Sequence, residues 1–267
     1  MHDAPLRAVA IIPARLQSSR LPRKALADIC GLPMVVHVER RCRLAASLSA
    51  VYVATDSPEI RDVVVAHGGE VIMTSPAHPT GTDRIAEVAA NLACDIVVNV
   101  QGDEALVRPE HIDAGVQALR EDPRLHVSIL VNPFRTSHSP SDIKTVVDER
   151  MNVLYFSRSD IPSSARTADP EMLKAYHVVA FRKPFLLEYA RWPQGRLERI
   201  EYNEYLRILE KGHQIRAVLV ESTAVSVDTE EDLRIVRERM ATDSLWLQYR
   251  ARSSRDPGLP SHTEVRA

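Results

Sequence analysis

Apolar and polar positions divide the first 125 residues into two kinds of segment. Short and almost wholly apolar runs occur at "RAVAIIPA", "AVYVAT", "GEVIM" and "CDIVVNV", and such runs are typical of parallel strands that are buried on both faces. Between them lie "PMVVHVERRCRLAA", "SPEIRDVVVAHGG" and "TGTDRIAEVAANLA", which carry helix-start signals or helical periodicity. The alternation predicts a doubly wound, mostly parallel α/β sheet over residues 8–125, with ligands beyond the carboxyl ends of its strands.

From about residue 126 the pattern changes. The apolar runs "HVSILVNP", "KTVVD", "NVLYFSR" and "AYHVVAFR" are separated by loops rich in Ser, Pro and Asp, which predicts a smaller mixed-sheet lobe over residues 126–212. Within it, "LERIEYNEYLRILEKG" has the spacing of one helix that ends at Gly212. Residues 213–249 contain a return strand and a capped helix that complete the core, and residues 250–267 have too few apolar side chains to pack, which predicts a disordered tail.

Charge and hydropathy exclude several classes of partner. The 267 residues have a formal net charge of −2, so there is no basic field for nucleic acid or an anionic membrane. The chain has no apolar run long enough to span a bilayer, and its first residues do not have the pattern of a secretory signal. We therefore expect a cytoplasmic protein without a nucleic-acid or membrane partner.

The stretch "IIPARLQSSRLPRKAL" places four cations, Arg15, Arg20, Arg23 and Lys24, directly after the first predicted strand. A loop in this position of an α/β fold commonly binds phosphates. It contains neither the P-loop nor the dinucleotide-binding glycine pattern, which disfavours those two classes of protein. Side chains must then neutralise the anion, with Arg15 as a fork and Lys24 as a point charge on an oligophosphate. A solvated arginine loop is the alternative interpretation.

Two aspartates follow other predicted strands. Asp103 lies in "VNVQGDEALV" and Asp228 in "VSVDTEEDL". Taken separately, the first is compatible with a simple turn and the second with a helix cap. Together with the cationic loop they match the requirements of metal-assisted nucleotidyl transfer, in which carboxylates hold Mg²⁺ against phosphate oxygens and fixed cations receive the departing pyrophosphate.

Several motifs in order resemble those of the 3-deoxy-manno-octulosonate cytidylyltransferases, or CMP-Kdo synthetases. They are "IIPARLQSSRLPRKAL", "YVATD", "HPTGTDRIAEV", "VNVQGDE", "LYFSRSDIP", "LERIEYNEYLRILEKG" and "VDTEEDL", and the likeness runs from about residue 8 to 240. The resemblance implies a Rossmann-like nucleotidyltransferase fold, CTP as donor, Mg²⁺ as cofactor, and a homodimer built through the smaller lobe, where the acceptor also binds.

The resemblance also assigns roles by position. It makes Arg15 and Lys24 catalytic ligands of the triphosphate, and it makes Asp103 and Asp228 catalytic metal ligands. Further positions at the nucleotide site are Pro13, Ala14, Thr82, Arg84 and Gln101, and positions near the acceptor are Arg23, Ser157, Arg158, His177, Glu204 and Tyr205.

The likeness breaks down where the family contacts the sugar acid. The family segment His-Leu-Gly-Ile-Tyr-x-Tyr-Arg appears here as "AYHVVAFR", with Ala175 for the histidine, His177 for the glycine and Val179 for the first tyrosine. Tyr205 replaces a glutamine. Three lost polar partners would cost Kdo about 1–3 kcal/mol each.

Arg23 stands where the family has glycine and adds a cation beside Lys24, unless its guanidinium points into water. These differences favour a small anionic acceptor, and specifically a phosphonate such as phosphonoformate. Kdo or a related ulosonic acid is the alternative, and a catalytically inactive nucleotide-binding regulator is an alternative of another class.

Overall fold

The computed structural model describes residues 6–18, 20–166, 170–221 and 225–252. Its strands are β1 Ala8–Ala14, β2 Asp28–Ile29, β3 Leu32–Pro33, β4 Leu48–Thr55, β5 Val71–Met73, β6 Ile96–Val100, β7 Val127–Phe134, β8 Lys144–Val147, β9 Val153–Ser157, β10 Met172–Arg182 and β11 Arg216–Leu219. Its helices are α1 Met34–Cys42, α2 Pro58–Ala66, α3 Gly81–Ala90, α4 Pro109–Glu121, α5 Lys183–Tyr189, α6 Arg196–Glu201, α7 Leu206–Glu210, α8 Glu230–Ala241 and α9 Ser244–Arg252, with a 3₁₀ turn at Lys24–Leu26.

The central sheet has the strand order β11-β7-β10-β6-β1-β4-β5. Strands β6, β1, β4 and β5 pair in parallel, as do β7 and β11. Strand β10 lies between β6 and β7 and is antiparallel to both. The predicted mostly parallel α/β fold is therefore confirmed, and the carboxyl ends of β1, β4, β5 and β6 meet at one edge.

The segment 126–212 does not form a sheet of its own. Its strands β7 and β10 enter the central sheet, while β8 pairs with β9 and with the first part of β10 to form a small antiparallel extension. The domain boundaries that the sequence suggested stay predictions.

Both faces of the sheet are covered, and strand β1 shows why the sequence there is uniformly apolar. Ala10 and Ile12 pack on one side, with side chains from α1, α4 and α8, whereas Val9 and Ile11 pack on the other, with side chains from α3, α5 and α7. A strand with two buried faces has no position that favours a polar residue.

The single helix predicted for "LERIEYNEYLRILEKG", which ends at Gly212, is wrong in one respect, because it is broken into α6 and α7. Tyr202 adopts a left-handed conformation (φ 50°) that ends α6, and the side chain of Asn203 accepts a hydrogen bond from the backbone N–H of Tyr205 at 3.0 Å. Such local side-chain bonds compete with helix continuation. The break turns Ile200 outwards, where it is 60% exposed, and places Glu204 and Tyr205 at the start of a new helix.

The tail predicted to be disordered, residues 250–267, overlaps the end of α9 and otherwise stays a prediction. Residues 250–252 are part of α9, which packs Trp246 and Tyr249 against His37 of α1; residues 253–267 lie outside the described part of the chain. No helix in the described ranges is long and apolar enough to cross a membrane.

A buried ion pair holds α6 and α7 together. Arg207 donates to both carboxylate oxygens of Glu198 at 2.6 and 2.8 Å and also to the backbone oxygen of Trp192 at 3.0 Å. Both side chains are about 95% or more buried. Removing one partner would leave the other charge buried and unpaired.

We expect Arg207→Ala to lower the free energy of unfolding by about 3–5 kcal/mol. The matched control is Arg234→Ala, which removes an exposed ion pair with Glu231 and Glu238 and should cost about 1 kcal/mol or less. Urea denaturation followed by circular dichroism measures both. Equal losses in the two variants would contradict the importance of the buried pair.

Candidate active site

Lys24 lies at the centre of a cluster at the carboxyl edge of the sheet. Its ammonium donates hydrogen bonds to Asp103 Oδ2 at 2.7 Å and to Asp228 Oδ1 at 3.0 Å, and the guanidinium of Arg20 is 3.0 Å from the same oxygen of Asp228. Burial by itself lowers the pKa of Lys24, but the two carboxylates outweigh burial and raise it above its usual value. Lys24 is therefore a fixed cation between two carboxylates.

Three distant segments bring this cluster together. Lys24 follows β1 in the 3₁₀ turn, Asp103 follows β6, and Asp228 precedes α8. The N–H of Val227 donates to the backbone oxygen of Asp103 at 3.1 Å, which ties the last two segments. A Cβ added to Gly102 would lie only 3.0 Å from the backbone oxygen of Pro13, so a residue without a side chain is needed where the β6 loop passes β1.

The end of β1 also meets the start of α3. Pro13 and Ala14 are the last residues of β1 and are buried, and the ring of Pro13 would lie 3.2 Å from a Cβ on Gly81. Arg15 follows them and is exposed; the described residues offer its side chain no ion pair or hydrogen bond. Its guanidinium is thus available to a ligand.

Arg84 lies on one side of the Lys24 cluster, towards β4 and β5. Its guanidinium is 3.0 Å from Asp56 Oδ1, after β4, and it also donates to the hydroxyl of Thr74, after β5. Arg84 is 5% exposed. It is therefore held in place by the ends of two strands.

On the other side, towards β10 and α7, lies a buried polar network. Asn99 Nδ2 donates to Thr82 Oγ1 and to the hydroxyl of Tyr205, both at 3.3 Å. Thr82 in turn donates to Glu204 Oε1 at 2.8 Å, and Gln101 Nε2 donates to Asn99 Oδ1 at 3.3 Å. The hydroxyl of Thr82, which was predicted to lie at the nucleotide site, is thus used inside the protein.

Burial is the main influence on Glu204. It raises the pKa of this carboxyl in spite of the hydrogen bond from Thr82, and Glu204 Oε2 is buried with no hydrogen-bond partner in the described part of the chain. A buried acceptor without a partner is costly. Glu204 can therefore accept a hydrogen bond from a bound ligand.

His177 lies at a bulge in β10, next to the same edge. Its backbone oxygen accepts from the N–H of Gln101 at 3.3 Å, and its Nδ1 is 3.7 Å from Glu104 Oε1. Burial lowers the pKa of His177, but Glu104 and the more distant Asp103 outweigh burial and raise it. The side chain remains one-third exposed, so a cationic imidazole can face a ligand.

Three of the residues predicted near the acceptor are engaged elsewhere. The guanidinium of Arg158 donates to the backbone oxygens of Pro140, Ser141, Glu201 and Tyr202, and the hydroxyl of Ser157 donates to Glu201 Oε1 at 2.9 Å. The guanidinium of Arg23 forms an exposed ion pair with Glu59 of α2. These contacts stabilise loops in this chain, and they do not bring the three side chains into the Lys24 cluster.

Asn99 is the residue that sequence reasoning missed. It lies inside an apolar strand run, "CDIVVNV", and two of its three neighbours in the network, Thr82 and Tyr205, are 17 and 106 residues away in the chain. A polar residue in a run otherwise buried on both faces was the available signal, since a buried amide needs partners.

Comparison with known proteins identifies the family. A family model described as cytidylyltransferase matches residues 9–215. This chain belongs to the cytidylyltransferase family. The 3-deoxy-manno-octulosonate cytidylyltransferase of Escherichia coli is 41% identical over 89% of this chain and 97% of its own, and that of Geobacter sulfurreducens is 44% identical over 86% and 98%.

A solved structure supports the same conclusion. The structure of a CMP:2-keto-3-deoxy-manno-octonic acid synthetase in complex with CTP is similar with a TM-score of 0.84 and 41% identity, and the match covers 88% of this chain and 98% of the other. The predicted resemblance to the CMP-Kdo synthetases is confirmed, and so is the prediction of a CTP-dependent nucleotidyltransferase.

The contact between His177 and Glu104 predicts how the imidazole titrates. In the wild-type protein the pKa of His177 should lie above 6.5, the usual value for histidine. In Glu104→Gln it should fall, because burial then acts without the neighbouring negative charge. Proton NMR of the imidazole signals measures this.

His37 is the internal control, because burial among α1 and α9 lowers its pKa to about 4 and Glu104 does not contribute to this. A pKa for His177 that is the same in the wild type and in Glu104→Gln would show that Glu104 does not hold the charged imidazole.

Proposed function

We propose that this cytidylyltransferase transfers CMP from CTP to Kdo or a closely related ulosonic acid. The observation that carries the proposal is the strong similarity, at 41–44% identity over nearly the full length of the relatives, to enzymes named for that acceptor. The comparisons favour this alternative over the phosphonate that the sequence differences suggested, and no comparison supports phosphonoformate.

The contacts of Arg23 remove one argument for a phosphonate. An extra cation beside Lys24 was expected to attract a more highly charged acceptor, but the guanidinium of Arg23 is paired with Glu59. The lost family contacts are also partly replaced, because Tyr205 enters the network of Asn99 and His177 adds a polar ring at the bulge of β10. Ala175 and Val179 are packed into the core.

In this proposal Arg15, Arg20 and Lys24 bind the phosphates of CTP. Lys24 and Arg20 already lie against carboxylates at the sheet edge, and Arg15 is exposed beside them. Arg84, on the β4 and β5 side, positions the nucleoside end. The groups on the β10 and α7 side, among them Glu204 and His177, then face the acceptor.

The donor set at the edge fits Mg²⁺. Asp103 and Asp228 present carboxylate oxygens that share one ammonium, and the described residues contain no cluster of three or more metal-ligating side chains. Magnesium is commonly held by one or two carboxylates together with water and phosphate oxygens. When bound, the ion would neutralise charge on the phosphate oxygens.

The reaction then needs positioning and charge, without a protein nucleophile. An oxygen of the acceptor forms a bond to the α-phosphorus of CTP, the bond from that phosphorus to the bridging oxygen breaks, and pyrophosphate leaves. Lys24 and Arg15 hold the charge that moves onto pyrophosphate, while the acceptor-side groups orient the attacking oxygen.

Two further expectations stay predictions. One is a homodimer built through the smaller antiparallel part of the protein, where Leu154, Ile200 and Tyr202 are exposed at 60%, 60% and 81%; exposed apolar side chains are common at such interfaces. The other is a cytoplasmic location.

The Lys24 cluster predicts large kinetic effects. Asp103→Asn, Asp228→Asn and Lys24→Ala should each lower kcat at saturating Mg²⁺ by at least about a hundredfold, the scale of one lost electrostatic stabiliser. Circular dichroism should show an intact fold. Pyrophosphate release from CTP is the measurement.

The matched controls are Asp62→Asn and Lys211→Ala, which change exposed side chains away from the sheet edge. Turnover by any of the three cluster variants at the rate of these controls would remove that residue from the proposed machinery.

The acceptor can be tested directly with the wild-type enzyme. Pyrophosphate release is measured with CTP and, in turn, Kdo, 8-amino-Kdo, phosphonoformate and 2-hydroxyethylphosphonate. We expect kcat/KM for a Kdo-type acid to exceed that for either phosphonate by at least about tenfold, because a site that hydrogen-bonds hydroxyl groups rejects ligands that lack them. Turnover of phosphonates alone would refute the proposal, and no turnover of any acceptor would favour the inactive regulator.

A further inference from the structure

We propose that Asn99 is a positioning residue that fixes the orientation of the acceptor-side groups. One atom of its side-chain amide acts towards the nucleotide side, and the other atom acts towards the acceptor side. This inference rests on the proposed function of the site. Asn99 is fully buried in β6 and touches no ligand in the proposed reaction. Its carboxamide is the only group in the described structure that contacts Gln101, Thr82 and Tyr205 at once.

The direction of each hydrogen bond follows from the chemistry of the amide. Oδ1 of Asn99 accepts from Nε2 of Gln101, and Nδ2 donates to Thr82 and Tyr205. Flipping one amide alone would place two nitrogens or two oxygens against each other, so the orientations of the two amides are coupled. Gln101 is thereby held with its nitrogen towards Asn99 and the start of α3, where it lies 3.5 Å from the Cβ position of Gly81.

The same direction of hydrogen-bond donation continues from Thr82 to Glu204. Because Thr82 Oγ1 accepts from Asn99, its single proton is free to be donated to Glu204 Oε1, which lies 2.8 Å away. That bond holds the carboxylate at the start of α7 and leaves the buried Oε2 without a partner in the described chain. Glu204 is thus oriented through two successive hydrogen bonds that begin at Asn99.

The position of the network along the sheet edge indicates which substrate it serves. The guanidinium of Arg84 contacts Asp56 and Thr74 at the ends of β4 and β5. The Lys24 cluster lies at β1 and β6. The Asn99 network extends from β6 to α7 on the side of β10. Donor and acceptor must flank the phosphate site for transfer to occur. The Thr82 and Glu204 end of the network therefore belongs to the acceptor side.

Two substitutions of Asn99 distinguish its bond with Gln101, on the nucleotide side, from its bonds to Thr82 and Tyr205, on the acceptor side. In Asn99→Asp the carboxylate still accepts from Gln101 but cannot donate to Thr82, and it competes with Glu204 for the proton of Thr82. In Asn99→Leu the bond from Gln101 and the bonds to Thr82 and Tyr205 are all lost. Thr82→Val removes the bond to Glu204 and the bond from Asn99 Nδ2 but leaves the bond from Gln101 to Asn99 Oδ1. Thr145→Val is the matched control, because Thr145 is a buried threonine of β8 whose hydroxyl donates to the backbone oxygen of Tyr155 at 2.9 Å.

The experiment combines steady-state kinetics with the Kdo-type acceptor and calorimetric binding of CTP. In Asn99→Asp and Thr82→Val we expect kcat/KM for the acceptor to fall by about 10–100-fold while Kd for CTP stays within about threefold. Asn99→Leu should weaken CTP binding as well. Thr145→Val should match the wild type in both measurements.

Several outcomes would overturn the inference. If Thr82→Val and Thr145→Val have equal acceptor kinetics, the network does not act through Glu204. If Asn99→Asp and Asn99→Leu have equal affinities for CTP, the nucleotide-side and acceptor-side bonds of Asn99 do not act separately. If Asn99→Asp fails to fold, Thr82→Val and Asn99→Leu still test both ends.

Failure of the proposed function looks different, because the wild-type enzyme would then turn over no Kdo-type acid. The CTP affinities of the two Asn99 variants would still decide the role of Asn99 towards Gln101.

Discussion

The arrangement of the site depends on one shared charge. The ammonium of Lys24 lies between Asp103 and Asp228, which are 79 and 204 residues away in the chain. Without a cation between them, the two carboxylates would repel each other. These two hydrogen bonds therefore fix the loops after β1 and β6 and the start of α8 relative to one another, and they keep two anionic groups together at the carboxyl edge of the sheet.

The rest of the site is arranged on either side of that cluster. The ends of β4 and β5 hold Arg84 on one side, and the insertion of the antiparallel strand β10 next to β6 creates the other side. Because β10 extends beyond the end of β6 to pair with β8, its middle rather than its end meets the carboxyl edge. The bulge there presents His177 to the edge of the sheet.

Two of the unsatisfied polar atoms in the described residues lie on the side proposed for the acceptor. Glu104 Oε2 and Glu204 Oε2 are both buried without a hydrogen-bond partner in the described part of the molecule. Their neighbours Asn99 and Thr82, by contrast, have their hydrogen bonds satisfied within the chain. A folded protein gains nothing by burying lone acceptors, which is consistent with a ligand that supplies donors such as hydroxyl groups.

The sequence by itself determined the elements and the chemistry that local pattern encodes. Two buried faces require a uniformly apolar β1, and the Ser, Thr and Pro signals before α2 and α3 place those helices. The predicted strand ends before Lys24, Asp103 and Asp228 indicated their convergence, although in the structure residues 225–227 form no strand before Asp228. The break at Tyr202, the pairing of Arg23 with Glu59 and the engagement of Arg158 by four backbone oxygens were decided only by the tertiary structure. Each depends on a partner that the residue meets only after folding, and a local pattern carries no record of which distant group will be there.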